Sequence, residues 1–168
     1  MSSILLYYDA LRDIKTIEQL EEFSSEIDNI LSNLFKVKNR NIEEILDRTV
    51  GQKTLEIVKK LVRENKIDSS DYNSLDKLLS GIKQDLKKIR ILKMSLAIDP
   101  TFEIIDRLFD WVRKNLGEGI ILDIDKNETI LGGAIISFDG EYKDFSLKRA
   151  LEGIFQTKKG EIMNFTQS

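Results

Sequence analysis

The residues whose types and spacing could carry chemistry sit mostly in the last third of the chain. Asp123-x-Asp125-x-Asn127 opens like a calcium-binding loop, with oxygen ligands at alternate positions. Such a loop needs glycine at its sixth position for the sharp turn and a bidentate glutamate at its twelfth. Here those positions hold Glu128 and Ala134, so the run reads as a solvated hairpin turn. Gly117-Glu118-Gly119 lacks the third glycine and the following helix of a dinucleotide loop. Gly132-Gly133 leads into a strand pattern with no Lys-Ser/Thr, so it is no phosphate cradle. Asp106 and Asp110 fall on the exposed side of a helix beside Arg107, Arg113 and Lys114, which suits solubility better than acid–base work. Lys83, Lys87, Lys88, Arg90 and Lys93 cluster enough to suggest an RNA contact, yet Asp76 and Asp85 lie close by and favour a solvated helix face. Nothing assembles a nucleophile, a base and an oxyanion donor. No catalytic, cofactor-binding or metal-ligating residue is therefore expected.

Composition narrows the classes further. The chain has no His and no Cys, which removes the commonest general base, thiolate chemistry, disulfides and the usual zinc sites. Its 168 residues suit one domain or two small ones, enough to bury roughly 70% of the unfolded surface. Charge is plentiful and balanced, with 26 Lys and Arg against 29 Asp and Glu. Residues 1–90 are net neutral and the remainder is net −3, so neither half is the basic surface that a nucleic acid requires. No run approaches the ~20 apolar residues of a membrane span. The opening MSSILLYYDALRD has neither a basic n-region nor a cleavage site. No nucleic-acid partner and no direct membrane insertion are expected.

The elements that must position any site follow from periodicity. Residues 3–14 suggest a short helix with Ile4, Leu5, Leu11 and Ile14 on one side. Thr16 with Gln19 makes a capping box, and Ile17, Leu20, Phe23, Ile27, Ile30, Leu31 and Leu34 recur at three- and four-residue spacing, predicting a helix over 17–36. Asn41 with Glu44 opens a short helix ending near Gly51. A fourth helix is predicted over 53–65, and a fifth over 70–89, capped by Asp68-Ser69-Ser70. Short connections between five amphipathic helices predict an antiparallel bundle.

The pattern changes at Ile91. Residues 91–97 alternate as a strand with Lys93 and Ser95 outward. Asp99-Pro100 then signals a cap and a proline at the first helical position, opening a helix that buries Phe102, Ile105, Leu108, Phe109, Val112 and Leu116 before Gly117 ends it. Trp111 reads as core or interface. Gly119–Ser146 follows, read as an antiparallel meander of runs 120–122, 130–136 and 142–145, with Asp139-Gly140 as a type I′ turn. Gly132-Gly133 within a strand implies a bulge or a close backbone approach. Ser146 caps a last helix with Leu147, Ala150, Leu151, Ile154 and Phe155. The fold class is thus α + α/β: an N-terminal antiparallel helical bundle (1–90), a small β-α-β-β-β-α domain (91–156) and a tail (157–168).

Four pieces in this order resemble the δ subunit of F-type ATP synthases, the oligomycin-sensitivity-conferring protein family. They are the strand with Ser95 and Ala97 and its helix of about four turns; Ile120-Ile121-Leu122-Asp123-Ile124-Asp125; Ile130-Leu131-Gly132-Gly133-Ala134-Ile135-Ile136, similar to the family's aliphatic–Gly-Gly–aliphatic signature; and Asp144-Phe145-Ser146-Leu147-Lys148-Arg149-Ala150-Leu151-Glu152, similar to its closing Asp-Gly-Ser-φ-basic-x-basic-Leu-Glu run. The motif residues singled out are Gly132, Gly133, Asp144, Ser146 and Leu151. The resemblance covers about residues 90–155. Phe145 stands where the family has Gly, Arg149 adjoins Lys148 instead of lying one residue beyond, and Tyr8-Asp9-Ala10-Leu11 only partly echoes the family's opening.

The resemblance implies a stator subunit of the peripheral stalk with no reaction of its own. Its helical domain would receive N-terminal segments of the α subunits and its second domain would join the b subunits, at the cytoplasmic face of the energy-coupling membrane. Two other readings stay open: the E-type stator subunit of V- or A-type ATPases, which begins with a long uninterrupted helix, and an RNA- or ribosome-associated α/β adaptor using Lys83–Lys93.

Overall fold

The computed structural model describes residues 7, 11–34, 36, 41–68 and 70–154. Most of the expected first helix and the tail lie outside the described residues. The chain divides into two compact units, Met1–Arg90 and Ile91–Ser168.

The first unit is helical. Helix α1 (Ile17–Leu34) buries Phe23, Ile27, Ile30 and Leu34, the stripe that three- and four-residue spacing puts on one face. It packs against α2 (Ile42–Thr49) and α4 (Tyr72–Leu86), and α2 packs against α3 (Gln52–Glu64). Opposite α1, helix α4 contributes Leu75, Leu79 and Ile82, all fully buried. Each such side chain contributes about 1.5–3 kcal/mol by leaving water. Leu11 and Ile14 join this core.

Caps fix where these helices begin, and they differ in detail from expectation. Thr16 Oγ1 accepts from Gln19 N at 3.5 Å, but Gln19 Oε1 reaches back to Lys15 N, one residue beyond a reciprocal capping box. Asn41 caps α2 by accepting from Glu43 N at 3.2 Å. Helix α4 starts later than 70 because its cap is Asp71, which accepts from Ser74 N at 3.0 Å. Asp68 instead closes the preceding turn on Ser70.

The second unit is a four-stranded sheet with one helix packed on it. Its strands are β1 (Arg90–Leu96), β2 (Ile120–Lys126), β3 (Ala134–Phe138) and β4 (Glu141–Asp144), in the spatial order β2-β1-β3-β4. The meander expected over Gly119–Ser146 is corrected by this order: β1 lies between β2 and β3. Its partners on the β2 side rise together in number. Lys93 Nζ lies 3.7 Å from Asp123, Ser95 Oγ donates to Asp125 at 2.9 Å, and Leu96 O accepts from Asn127 N at 2.8 Å, as in a parallel pair. A parallel pair needs a crossover of a dozen or more residues, and helix α5 (Phe102–Leu116) supplies it. On its other side β1 runs antiparallel to β3, with Met94 opposite Ile136 and Leu96 opposite Ala134. Among the described strands only β3 and β4 form a hairpin, turned by Asp139 (φ 49°) and Gly140 (φ 82°), the two positive angles of a type I′ turn.

Two further expectations change. The strand starts at Ala134, so Gly132-Gly133 lies in the turn before it instead of inside it. Thr101, not Asp99, caps α5, accepting from Ile104 N at 3.4 Å, so Pro100 precedes the cap. Starting the helix there leaves Phe102 84% exposed at its first position, and Leu116 is also exposed; Phe109 and Val112 are the α5 residues truly buried. After β4 a last helix, α6, starts at 147 and continues to 154, the last described residue.

Candidate functional site

Among the described residues, all the exposed large hydrophobic side chains fall between residues 91 and 154. That asymmetry has a geometric cause. Strands lie about 4.8 Å apart, so four span roughly 15 Å, whereas one helix is about 10 Å wide. Helix α5 packs on β2, and with β1 this encloses Leu92, Met94, Leu96, Ile120 and Leu122. The β3–β4 side of the same face is left as a groove of about 380 Å³.

The groove is apolar at its base and charged at one edge. Leu92 and Met94 from β1, Val112 from α5, and Ile136 and Phe138 from β3 line it. Trp111, Leu116 and Phe145 stand at its mouth, with Trp111 53% and Phe145 61% exposed. Because Ile136 pairs with Lys143 and Phe138 with Glu141, β4 adds those charges at the edge; Lys143 and Glu141 lie 3.5 Å apart. Exposed apolar surface rimmed by charge is what a protein-docking site presents.

Beside the groove lies the joint built from the residues singled out in the sequence. Gly133 has φ +85°, and a Cβ added there would sit 2.3 Å from Phe145 O and 3.1 Å from Ser146 Cα. The two segments are tied by Phe145 N donating to Ala134 O at 2.8 Å and Leu147 N to Gly132 O at 3.0 Å. Asp144 Oδ1 accepts from Ser146 N at 2.8 Å, and the buried Ser146 Oγ accepts from Arg149 N at 3.4 Å, opening α6. The Ser146 hydroxyl, followed by its N–H, holds the Asp144 carboxyl below the usual carboxylate range. The structure thus brings Gly132, Gly133, Asp144 and Ser146 together. Leu151 is exposed on α6.

The helical unit carries a second concavity, about 560 Å³, between α1 and α3. Ile14, Phe23 and Ile57 form its floor. Asp13, Glu22, Glu26 and Glu56 line it together with Lys53 and Lys60. Glu26 also accepts from Gly51 N at 2.7 Å, fixing the start of α3 against α1.

The remaining polar runs are occupied locally. Asp123 and Asp125 face Lys93 and Ser95 across the β1–β2 pair, and Asn127 closes a turn on Thr129. Lys83 pairs with Asp28, and Lys88 with Asp85 at 2.7 Å. Glu128 and Asp99 hold Lys126 above the usual lysine range. Among the described residues no three His, Cys, Asp or Glu side chains are grouped to hold a metal ion. Among them, too, no helix is long and apolar enough to cross a membrane.

Sequence reasoning did not find either concavity. A signal existed for the groove: Trp111 falls off the Phe109–Val112–Leu116 stripe, and one helix cannot cover four strands. The helical cleft had none, since Asp13, Glu22 and Glu26 read as ordinary solvated positions.

No protein-family model matches the chain. It is similar to the ATP synthase subunit delta of Rickettsia typhi, 25% identical over an aligned length of 170 residues, covering 94% of this chain and 92% of that protein.

Proposed function

We propose that the chain is a non-catalytic stator subunit of an F-type ATP synthase, joining the catalytic head to the peripheral stalk and resisting rotor torque. The observation that carries this reading is the similarity to an ATP synthase subunit delta along nearly the whole of both chains. It therefore spans both units, and the four ordered motifs of residues 90–155 agree with it.

In this reading the helical unit, an antiparallel bundle, receives amphipathic N-terminal segments of the α subunits. The cleft over Ile14, Phe23 and Ile57 suits them, because an apolar floor takes a helix's apolar face and charged walls set its register. The second unit joins the b subunits through its exposed apolar surface around Trp111 and Phe145. The protein works peripherally at the cytoplasmic face of the energy-coupling membrane, and its affinity is spread over grooves with no reaction to catalyse.

The helix lengths support this reading over an E-type stator subunit. The longest described helix of the first unit has 18 residues, and Asn41, Gly51 and Asp71 cap the starts of new ones, so the described residues form no long uninterrupted helix. The ion pairs of Lys83, Lys88 and Lys93 weigh against an RNA adaptor.

Calorimetry tests the reading. The chain is titrated with a peptide of the same organism's α-subunit N-terminus and with its soluble b region. Saturable binding of both at micromolar concentrations is expected; binding of neither would overturn it.

A further inference from the structure

We propose that the cleft between α1 and α3 selects its occupant by charge: an amphipathic helix with basic residues on the flank of its apolar stripe that faces α1 and acidic residues on the flank that faces α3. The proposal deepens the stator reading and rests on it for the source of that helix, the α subunits.

The two walls differ in sign. Asp13, just ahead of α1, and Glu22 and Glu26, one turn apart on it, form a wall that holds no basic residue among the described residues. Helix α3 presents Lys53, Glu56 and Lys60 at three- and four-residue spacing, a single stripe with two lysines against one glutamate. These walls do not close on one another: among the described residues no ion pair crosses the cleft. Glu56 accepts from Gln52 Nε2 at 2.9 Å and Lys60 lies 4.0 Å from Glu64, both contacts within α3. The bond from Gly51 N to Glu26 is a backbone contact and leaves the carboxylate's charge unneutralised.

The floor limits what apolar contact can contribute. Phe23 is 2% and Ile57 9% exposed, so an incoming helix buries its own apolar side chains but little more of the floor. Discrimination among amphipathic helices then falls to the walls, where unlike charges fix register and like charges reject a partner. Glu22 and Glu26 stand at i and i+4, so a helix laid alongside α1 meets both with two basic residues one turn apart. Turned end for end, that helix would bring like charges together on both walls, so the walls also fix its direction.

Calorimetry on the full chain uses three designed helical peptides that share one apolar stripe. One has lysine on one flank and glutamate on the other, one has lysine on both flanks, and one has glutamate on both. The mixed peptide should bind tightest, about tenfold more tightly than the all-glutamate one, with the difference shrinking as salt rises. Asp13→Lys/Glu22→Lys should reverse that order in favour of the all-glutamate peptide. Glu21→Lys/Glu43→Lys, the same change of charge outside the cleft lining, should leave the order unaltered. All four substituted side chains are exposed, and far-UV circular dichroism checks the fold. A peptide of the same organism's α-subunit N-terminus is measured alongside. If it binds while the designed peptides show no order, or an order that Asp13→Lys/Glu22→Lys leaves in place, the charge selection is overturned and the stator reading stands. If the designed peptides rank and reverse as expected while the α-subunit peptide does not bind, the selection stands and its assignment to the α subunits fails. Binding of none of the peptides overturns the proposal.

Discussion

Gly133→Ala tests the joint between β3 and α6 most severely. The glycine sits at φ +85°, where a side chain is strained by about 1–3 kcal/mol. The added Cβ also lands 2.3 Å from Phe145 O, more than 1 Å inside a normal contact, and that neighbour is backbone. No rotamer change relieves it, so residues 145–147 must move away from 132–134. That movement threatens two hydrogen bonds, Phe145 N to Ala134 O and Leu147 N to Gly132 O, each worth about 1 kcal/mol. The expected loss is about 3–5 kcal/mol. For a unit of this size each kcal/mol lowers the melting temperature by about 4–8 °C, so the second unit's melting temperature should fall by about 12–40 °C. Gly140→Ala is the control. It has a similar φ of +82° but no atom within 4 Å of the added Cβ, so it loses only the strain, about 1–3 kcal/mol. Urea unfolding followed by circular dichroism and by Trp111 fluorescence measures both variants. Equal losses at the two positions would refute the close-approach argument, since backbone angle alone would then account for the glycine.

Three other outcomes follow from the same structure. Thr101→Ala should weaken the second unit by about 1 kcal/mol, and Asp99→Ala should cost less, as thermal unfolding of each variant will show, because Thr101 is the residue that caps α5. Leu79→Ala removes a fully buried side chain between α4 and α1 and should lower the helical unit's stability by about 2–5 kcal/mol, read by chemical denaturation, while Trp111 fluorescence reports an unaltered second unit. Asp71 and Asp144 have folded pKa values below their usual one, so their stabilisation is present above the ordinary carboxylate range and lost as pH falls through about 3.8 and below. In melting curves from pH 7 to 2, Asp71→Ala and Asp144→Ala should therefore differ from the unaltered chain at neutral pH and converge with it in acid.

The fold was legible where a local pattern decides it. The Phe23–Ile27–Ile30–Leu34 stripe defines α1, alternation about Lys93 and Ser95 defines β1, and Asp139-Gly140 turns the hairpin. Strand order was not legible, since it depends on where α5 returns the chain, and neighbours in sequence were read as neighbours in space. Cap positions slipped by two or three residues because Asp99 and Thr101, or Asp68 and Asp71, offer equivalent oxygens. The apolar positions of α5 were found, but periodicity does not say whether anything covers them. Phe102 and Leu116 fit the helical pattern, yet as the first and last residues of α5 they stay exposed. Trp111 hinted at the groove and nothing hinted at the cleft, because each is a gap between elements, made by residues such as Phe23 with Ile57, or Trp111 with Phe138, far apart in the chain.

In the proposed function this chain ties a catalytic head to a membrane-bound stalk. The most direct measurement is native mass spectrometry of the ATP synthase purified from the same organism, before and after selective removal of this chain. One copy per complex is predicted, with the α-containing head released from the b subunits once it is gone. An intact, coupled complex that never contained the chain would contradict the account.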